Sequence, residues 1–239
     1  SHVGSGVSIG ADVYRGAFSY IGNNVKIGDS VKIYPHCYIG DNVSIGDNCV
    51  FYPGVKIYED TVIGNDCVLH AGAVLGSDGF GYAPQEDGTY KPIPRVGQVI
   101  VEDRVHIGAI TTVDCAPFQG DATLIGAGVK RDNIIRIGHN VRICALAVMA
   151  AGGAIAGSST IGKNCVLAGQ VGVVGHITVG DKSIIAAQSG IAKSVPEGST
   201  QLGSPTFDHK AYLRTDAVFR RLPDLQERVR ELERKLEEK

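Results

Sequence analysis

An apolar residue recurs at every sixth position along most of this chain, and this spacing constrains the fold more than any other feature. A helix repeats every 3.6 residues and a strand every two, so neither explains a strict period of six. Three short strands per coil of a parallel β-helix do explain it. The period runs through two series: Val3, Ile9, Ile21, Ile27, Ile33, Ile39, Ile45, Phe51, Ile57, Ile63, Leu69 and Leu75, then Val101, Ile107, Val113, Ile125, Ile137, Ile143, Met149, Ile155, Ile161, Leu167, Val173, Val179, Ile185 and Ile191. Arg15, Gln119 and Arg131 fall in the same phase but break the apolar pattern.

A second inward position lies two residues before each apolar one and holds small or β-branched residues such as Val25, Val43 and Cys67. Glycine often follows the apolar residue, as Gly22 and Gly40 do, where a tight corner favours it. The pattern resembles the hexapeptide-repeat family, whose fold is a left-handed parallel β-helix of triangular section. The left hand is implied by the resemblance, because spacing alone cannot reveal it. We therefore expect a mainly β fold of about ten coils.

The unbroken repeat favours one elongated domain, whereas the length alone would also allow two compact domains. The chain has 239 residues and a net charge of -2, so it is not expected to bind nucleic acid. No apolar run is long enough for a transmembrane segment, and no signal peptide is recognisable. Six cysteines form no CxxC pair, and most occupy the small inward position, which favours free buried thiols in a reducing cytoplasm.

The two series are out of phase between Leu75 and Val101, so the chain must leave the coil there. We predict an irregular, ejected loop at about 77–98, because glycine and proline are frequent in it. Exposed loops of this length are often functional, although a decorative insertion is the alternative. Phe80 and Tyr82 are flanked by glycines and are the residues of this loop expected to cover a substrate.

The repeat ends after Ile191, which predicts a β-helix over residues 1–203 and helices over residues 204–239. In the second helix an apolar seam has the 3, 4, 3, 4 spacing of a heptad repeat. Because two heptads are too short for a stable coiled coil, we expect this helix to pack in an oligomer or against the last coil. The seam comprises Leu222, Leu225, Val229, Leu232 and Leu236.

Two histidines are candidates for chemistry because the repeat places them near one edge of the prism. His139 and His176 are two coils plus one residue apart, and each alone could be an ordinary surface histidine. Asp132 and Asn133 precede His139 by about one strand and could orient an imidazole or bind a polar ligand, or form a plain turn. Gly157 lies one coil beyond His139, where a corner glycine can offer its N–H to an oxyanion.

Other kinds of site are not supported by the sequence. A local basic cluster of Lys130, Arg131, Arg136 and Arg142 could be a solvated face or could dock an acidic partner. No tight histidine cluster has metal-ligand spacing, and no nucleotide-binding loop or nucleophile elbow is present. The sequence itself therefore supports neither a metal site nor a nucleotide-binding loop.

Three segments are similar to the UDP-3-O-(3-hydroxyacyl)glucosamine N-acyltransferase family of lipid A biosynthesis. The segment 76–84, Gly-Ser-Asp-Gly-Phe-Gly-Tyr-Ala-Pro, resembles the family's insertion loop. The segment 132–140 resembles the one that holds the family's catalytic histidine, and Gly175-His176 with the turn 203–205 resembles the late coils. The resemblance covers nearly all of residues 3–239.

The resemblance implies transfer of an (R)-3-hydroxyacyl group from acyl carrier protein to the 2-amino group of a UDP-linked, 3-O-acylated glucosamine. It implies His139 as the general base and the N–H of Gly157 as the oxyanion donor, without a cofactor. A homotrimer is also implied. The remaining site residues that it implies are His176 as a second site histidine and Asp132, Asn133, Asn140, Gly175, Phe80 and Tyr82 as substrate contacts.

Two departures from the family pattern stand out. The family usually carries an N-terminal domain that helps to hold the uridine, and the resemblance does not extend to it. Cys115 follows Asp114 where the family typically has arginine, and Gln119 and Arg131 occupy interior phases, so we expect a strained or repacked coil there. The alternatives to N-acyl transfer are the related UDP-N-acetylglucosamine O-acyltransferase, which acts on a hydroxyl, and a non-enzymatic β-helix scaffold.

Overall fold

The computed structural model describes residues 1–237 as a parallel β-solenoid followed by two helices, which confirms the predicted mainly β fold. Residues 238 and 239 of the predicted helical segment lie outside the described part. Each coil contributes one short strand to each of three parallel sheets, and each strand pairs with its counterpart in the next coil. Ile21, for example, is paired with Ile39, and Ile39 with Ile57.

The strands of the three sheets follow one another around the prism in a fixed order. The first sheet comprises His2–Val3, Tyr20–Ile21, Tyr38–Ile39, Lys56–Ile57, Val74–Ser77, Thr112–Asp114, Arg136–Ile137, Ala154–Ile155, Gly172–Val173 and Gly190–Ile191. The second comprises Ser8–Ile9, Lys26–Ile27, Ser44–Ile45, Val62–Ile63, Gln98–Val101, Ala122–Ile125, Arg142–Ile143, Thr160–Ile161 and Thr178–Val179. The third comprises Tyr14–Arg15, Lys32–Ile33, Val50–Phe51, Val68–Leu69, His106–Ile107, Lys130–Arg131, Val148–Met149, Val166–Leu167, Ile184–Ile185, Thr200–Leu202 and Phe207–Asp208, the last of these antiparallel.

The core is a column formed by the inward side chains of the six-residue repeat. Ile21, Ile39 and Ile57 are fully buried, as are Val25 and Cys67 at the second inward position. Burial of one such aliphatic side chain stabilises the fold by about 1.5–3 kcal/mol. The first coil is stacked on one side only, so Val3 and Ile9 of the same series remain 37% and 45% exposed.

The ejected loop leaves the first sheet after Ser77 and returns in the second sheet at Gln98, close to the predicted bounds of 77–98. The expectation that it is irregular was wrong. Strands Tyr82–Pro84 and Tyr90–Pro92 form an antiparallel hairpin. The turn between them is closed because the N–H of Gln85 donates to the carbonyl of Thr89, with Gly88 at a φ of 82°.

A second, shorter excursion was missed by the six-residue count. Gln98 pairs with Ala122, which is 24 residues further along, whereas Ile21 pairs with Ile39 after 18. The extra residues form a loop at 115–121 between the first and second sheets. Gln119 is exposed in this loop, so its assignment to an interior position was wrong. The insertion adds a multiple of six residues and therefore leaves the phase unchanged.

Arg131 does occupy the interior position that its phase predicts. Its side chain is only 4% exposed, and its three guanidinium nitrogens have no hydrogen-bond partner within residues 1–237. Ile107 and Met149 occupy the same interior position in the adjacent coils of the third sheet. Desolvation lowers the pKa of Arg131 to about 9.

The two helices are α1, His209–Phe219, and α2, Leu222–Glu237. Asp208 caps α1 by accepting a hydrogen bond from the N–H of Ala211 at 3.0 Å. Helix α1 packs against the last strands of the third sheet, whereas the apolar seam of α2 is 44–73% exposed. Neither helix of the described chain combines the length and the apolar content that a membrane crossing requires.

Candidate active site

One edge of the prism carries both excursions from the coil. The loops at 78–97 and 115–121 both leave the end of a first-sheet strand and return to the second sheet. In the next coil, the same corner runs from Arg136–Ile137 to Arg142–Ile143 and contains His139. Both loops therefore lie on the N-terminal side of His139, along one edge in three successive coils.

The two histidines share this edge, as their spacing predicts. The carbonyl of His139 accepts a hydrogen bond from the N–H of Ser158 at 2.8 Å, and that of Gly157 accepts one from the N–H of His176 at 3.1 Å. His139, Gly157 and Gly175 thus form one vertical column of corner residues. His176 belongs to the adjacent column and lies two coils from His139, roughly 10 Å along the axis at about 4.8 Å per coil.

The imidazole of His139 occupies the space that a side chain at position 157 would fill. A Cβ on Gly157 would lie 2.5 Å from Nε2 and 2.7 Å from Cε1 of His139. The ring therefore lies against the Gly157 backbone, and any larger residue at 157 would displace it. His139 itself is half-buried. This close approach explains why glycine stands at position 157.

The N–H of Gly157 is free to bind a ligand. Nearer the N-terminus on the same edge, corner N–H groups are capped by side chains from the next coil: Ser5 donates to Asn23 Oδ1 at 2.9 Å and Asn23 to Asp41 Oδ1 at 2.7 Å. The residue that would cap Gly157 is Gly175, which has no side chain. Within residues 1–237 the N–H of Gly157 accordingly has no hydrogen-bond acceptor.

Asn140 contacts the imidazole directly. Its Oδ1 lies 3.0 Å from Nδ1 of His139, and its backbone N–H donates to Thr123 Oγ1 at 3.0 Å. Asn140 is held in the left-handed region, with a φ of 54°, like other residues at the second corner position. Asn140, which the resemblance implies as a substrate contact, therefore lies against the candidate base, and its part in binding substrate stays a prediction.

An ion pair between a buried carboxylate and an exposed guanidinium, which sequence reasoning missed, lies beside the same edge. Asp114 is 4% exposed, and its Oδ2 accepts a hydrogen bond from Nη2 of Arg136 at 3.0 Å. Desolvation raises the pKa of Asp114, while the guanidinium of Arg136 opposes the rise. Gly79 of the ejected loop closes over this carboxylate, because a Cβ there would lie 2.6 Å from Asp114 Oδ2.

An apolar groove runs along the first sheet next to the Gly157 corner. The outward side chains of paired strands shrink from Arg136 to Ala154, Gly172 and Gly190, which opens the surface. The groove has a volume of about 610 Å³. Its remaining lining residues are Ile155, Ala156, Val173, Val174, Ile191, Ala192, Ser204 and Pro205.

Two further predicted site residues, Phe80 and Tyr82, lie on the ejected loop. Phe80 and Tyr82 are 76% and 48% exposed, and their rings contact each other edge to face at 5.2 Å. Arg95 anchors their loop by donating to the carbonyl of Phe80 at 3.0 Å. A role for these two rings in covering a substrate stays a prediction.

Asp132 and Asn133 lie at the opposite end of the first-sheet strand from His139, on the edge between the third and first sheets. Asn133 Oδ1 caps the N–H of Ala109 at 2.7 Å, and Asp132 Oδ1 accepts from the N–H of Asn133 at 2.8 Å. The structure therefore does not bring them against the imidazole. Their part in binding substrate stays a prediction.

The basic cluster inferred from the sequence does not form. Lys130, Arg136 and Arg142 lie on three different sheets, and Arg131 is inside the prism. The physical reason is the period itself, because residues six apart fall on successive faces. Within residues 1–237, no three His, Cys, Asp or Glu side chains are grouped so that they could hold a metal ion.

Comparisons with known proteins agree with the repeat and the fold. The bacterial transferase hexapeptide (six repeats) family matches residues 18–51 and 43–77. The chain is similar in fold to a UDP-N-acetylglucosamine acyltransferase from Arabidopsis, with a TM-score of 0.72 and 21% identity over 87% of this chain and 72% of that one. A Bacteroides fragilis UDP-N-acetylglucosamine acyltransferase gives a TM-score of 0.67 at 20% identity, over 84% of this chain and 69% of that one. At these identities the likeness shows the fold alone.

Curated relatives are closer in sequence. The chain is 53% identical to UDP-3-O-acylglucosamine N-acyltransferase of Cytophaga hutchinsonii over 68% of its own length and 46% of the relative. It is 48% identical to the protein of that name from Porphyromonas gingivalis, over 70% of this chain and 47% of the relative. It thus spans about half the length of the curated relatives that it matches. The chain is a hexapeptide-repeat β-solenoid related in sequence to the UDP-3-O-acylglucosamine N-acyltransferases.

Proposed function

We propose that this chain transfers an (R)-3-hydroxyacyl group from acyl carrier protein to the 2-amino group of UDP-3-O-(3-hydroxyacyl)glucosamine, a step of lipid A biosynthesis. The observation that carries the proposal is the position of the His139 imidazole against Gly157, whose N–H is unpaired within residues 1–237, beside an apolar groove. The names of the sequence relatives support the choice of substrate class.

In the proposed reaction the neutral amine attacks the thioester carbonyl carbon. His139 Nε2 takes a proton from the amine as the N–C bond forms, and general base catalysis of this kind contributes about 10²–10⁴-fold. The carbonyl oxygen becomes an oxyanion, which accepts a hydrogen bond from the N–H of Gly157. The C–S bond then breaks, and the thiol of the carrier protein leaves with the proton that His139 returns.

The apolar groove is the proposed site of the acyl chain. Its floor of Ala154, Gly172 and Gly190 offers apolar surface with few projecting atoms, which suits an alkyl chain. Arg136 stands at one end, held by Asp114, and supplies a positive charge for a polar or phosphate group of the substrates. The chain would then enter the groove with its thioester at the His139 corner.

The remaining predicted contacts complete the proposal. His176 and Gly175 extend the edge below Gly157 and are proposed to contact the sugar or its acyl group. Asp132 and Asn133 on the far edge, with Phe80 and Tyr82 on the ejected loop, are proposed to bind the extended substrates away from the reacting atoms. None of these roles requires a metal or a cofactor.

We also propose that the active form is a homotrimer that works in the cytoplasm. The apolar seam of α2 is exposed and needs a partner, and a second and third copy of the helix would supply it. The six cysteines are free, as expected in a reducing compartment.

The test is an acyl-transfer assay with 3-hydroxyacyl-loaded carrier protein and purified protein carrying His139→Ala. We expect transfer to UDP-3-O-acylglucosamine by the unaltered chain and a loss of at least about 100-fold in kcat in the variant. A parallel reaction with UDP-N-acetylglucosamine distinguishes amine from hydroxyl acceptors. Retention of most activity by the variant would reject His139 as the base. Absence of both turnover and carrier-protein binding would favour the scaffold.

A further inference from the structure

Asp121 is the last residue of the short loop that the repeat pattern concealed, and its backbone is fixed on both sides. Its N–H donates to the carbonyl of Phe118 at 3.1 Å, and its carbonyl accepts from the N–H of Gln98 at 2.9 Å. The first bond closes the end of the loop on itself, and the second joins it to the second sheet. They hold the side chain of Asp121 at the corner that contains Asn140, one coil further on.

The carboxylate of Asp121 contacts the side-chain amide of Asn140, which in turn contacts the imidazole of His139. Its Oδ2 accepts a hydrogen bond from Nδ2 of Asn140 at 3.2 Å, while Oδ1 of Asn140 lies 3.0 Å from Nδ1 of His139. The backbone of Asn140 is anchored separately through Thr123. Asp121, Asn140 and His139 therefore form a continuous chain of hydrogen bonds that starts in the loop and ends on the imidazole.

The donor and acceptor in each of these hydrogen bonds follow from the chemistry of the three side chains. An ionised carboxylate can only accept, so the NH₂ group of Asn140 must face Asp121. The amide oxygen of Asn140 must then face His139, and Nδ1 of the ring must carry the hydrogen. Nε2, which lies against Gly157, is left with its lone pair. Nε2 is the nitrogen that a general base on this edge requires.

We propose that Asp121 is a positioning residue that acts through Asn140 to hold His139 in the Nδ1–H tautomer, with Nε2 free to accept a proton. The catalytic consequence rests on the proposed function, whereas the tautomer does not. Asparagine at position 121 could both donate and accept. It would therefore allow the amide of Asn140 to turn over, and Nε2 of His139 would then carry the hydrogen in part of the molecules. In a serine protease triad, where the same kind of change gives the wrong tautomer, the loss is about 10⁴-fold.

The experiment combines a spectroscopic and a kinetic measurement on Asp121→Asn. Proteins labelled with ¹⁵N-histidine report the tautomer of each imidazole, and the signal that disappears in His139→Gln identifies His139. We expect a predominantly Nδ1–H ring in the unaltered chain and a mixture in Asp121→Asn. In acyl transfer we expect kcat to fall by roughly 10-fold or more, with KM changed by less than about threefold, because the ring's orientation and not substrate binding is altered.

Two further variants serve as controls. Asp121→Glu keeps the acceptor and should restore most of the Nδ1–H tautomer, whereas Gln119→Ala changes an exposed residue of the same loop and should leave tautomer and kcat unchanged. An unchanged tautomer in Asp121→Asn would overturn the proposal, whatever the activity. A changed tautomer in a chain that shows no transferase activity would uphold the positioning role and reject the proposed function instead.

Discussion

The imidazole of His139 and the Cα of Gly157 approach so closely that a single methyl group could not be placed between them. Because the atoms that a Cβ would meet are at the end of a side chain, Gly157→Ala should move the ring and leave the backbone in place. The φ of Gly157 is not among the positive values, so alanine is tolerated there. We expect kcat/KM for acyl transfer to fall by about 100-fold, since a displacement of about 1 Å can cost that much.

The matched control for this change is Gly153→Ala in the same coil. There the nearest atom to a new Cβ is the carbonyl oxygen of Val171 at 3.4 Å, an ordinary contact. The free energy of unfolding of both variants should stay within about 1 kcal/mol of that of the unaltered chain. Equal activity of the two variants would show that the imidazole against Gly157 takes no part in catalysis.

Gly172→Leu should obstruct the apolar groove. Gly172 faces outward, and nothing lies within 4 Å of a Cβ built there, so the larger side chain would project into the groove without disturbing the fold. We expect the variant to prefer shorter acyl donors. The ratio of kcat/KM for a long 3-hydroxyacyl group to that for a short one should fall by at least about 10-fold. Thr178→Leu, an outward change on the second sheet, should leave that ratio unchanged.

Arg131→Met should stabilise the protein at neutral pH. The unpaired guanidinium lies between the core positions of Ile107 and Met149. Replacing even a paired buried charge by a well-packed apolar residue often raises the free energy of unfolding, by up to about 1–4 kcal/mol. The pKa of Arg131 is about 9 in the folded chain against an ordinary 12.5, so the unfolded chain binds more protons between these values. The stability of the unaltered chain should therefore rise, relative to the variant, as the pH increases above about 9.

Chemical denaturation at pH 7 and at about pH 10.5 measures this difference, and the comparison cancels contributions common to both chains, such as those of the buried thiols. Arg142→Met, at an exposed position, is the control and should show no comparable gain. A variant less stable than the unaltered chain at pH 7 would show that the guanidinium is stabilised in the core.

Leu232→Asp should weaken the proposed trimer without unfolding the solenoid. Leu232 is 54% exposed and belongs to the seam of α2, so in the proposed trimer the other copies would bury it. Sedimentation should show a shift from trimer towards monomer, while the melting of the β-sheets is unchanged. Gln226→Asp on the same helix should sediment like the unaltered chain. A monomeric unaltered chain would contradict the trimer.

The solenoid could be predicted from the sequence because two positions in every six must face a narrow core, and Ile21, Ile27 and Ile33 show that period without interruption. The phase change between Leu75 and Val101 likewise revealed the first loop. The second loop could not be found in this way, because an insertion of six residues restores the phase. Its only signs were Gln119 at an interior phase and the neighbouring Pro117 and Gly120.

The candidate site could be predicted only in part. The vertical alignment of His139 and His176 follows from counting coils, and the importance of Gly157 follows from its place one coil below His139. Side-chain contacts depend on geometry that the period does not encode. Asp114 and Asp121 reach the site from loops or strand ends, and nothing in their sequence spacing distinguishes them from the corner aspartates elsewhere.

Both excursions depart from the first sheet and rejoin the second, and the flanking strands stay paired, with Leu75 opposite Val113 and Val101 opposite Ile125; the register shifts only between Leu75 and Ser77, where the first loop leaves. Such an arrangement separates the framework from the loops that are proposed to contact substrates. Segments of different length, taken from other solenoids of this kind, can be grafted at these two points as long as their ends meet the same pair of strands. Selectivity could then be redesigned one loop at a time, while the stacked scaffold that aligns the imidazole is inherited unchanged.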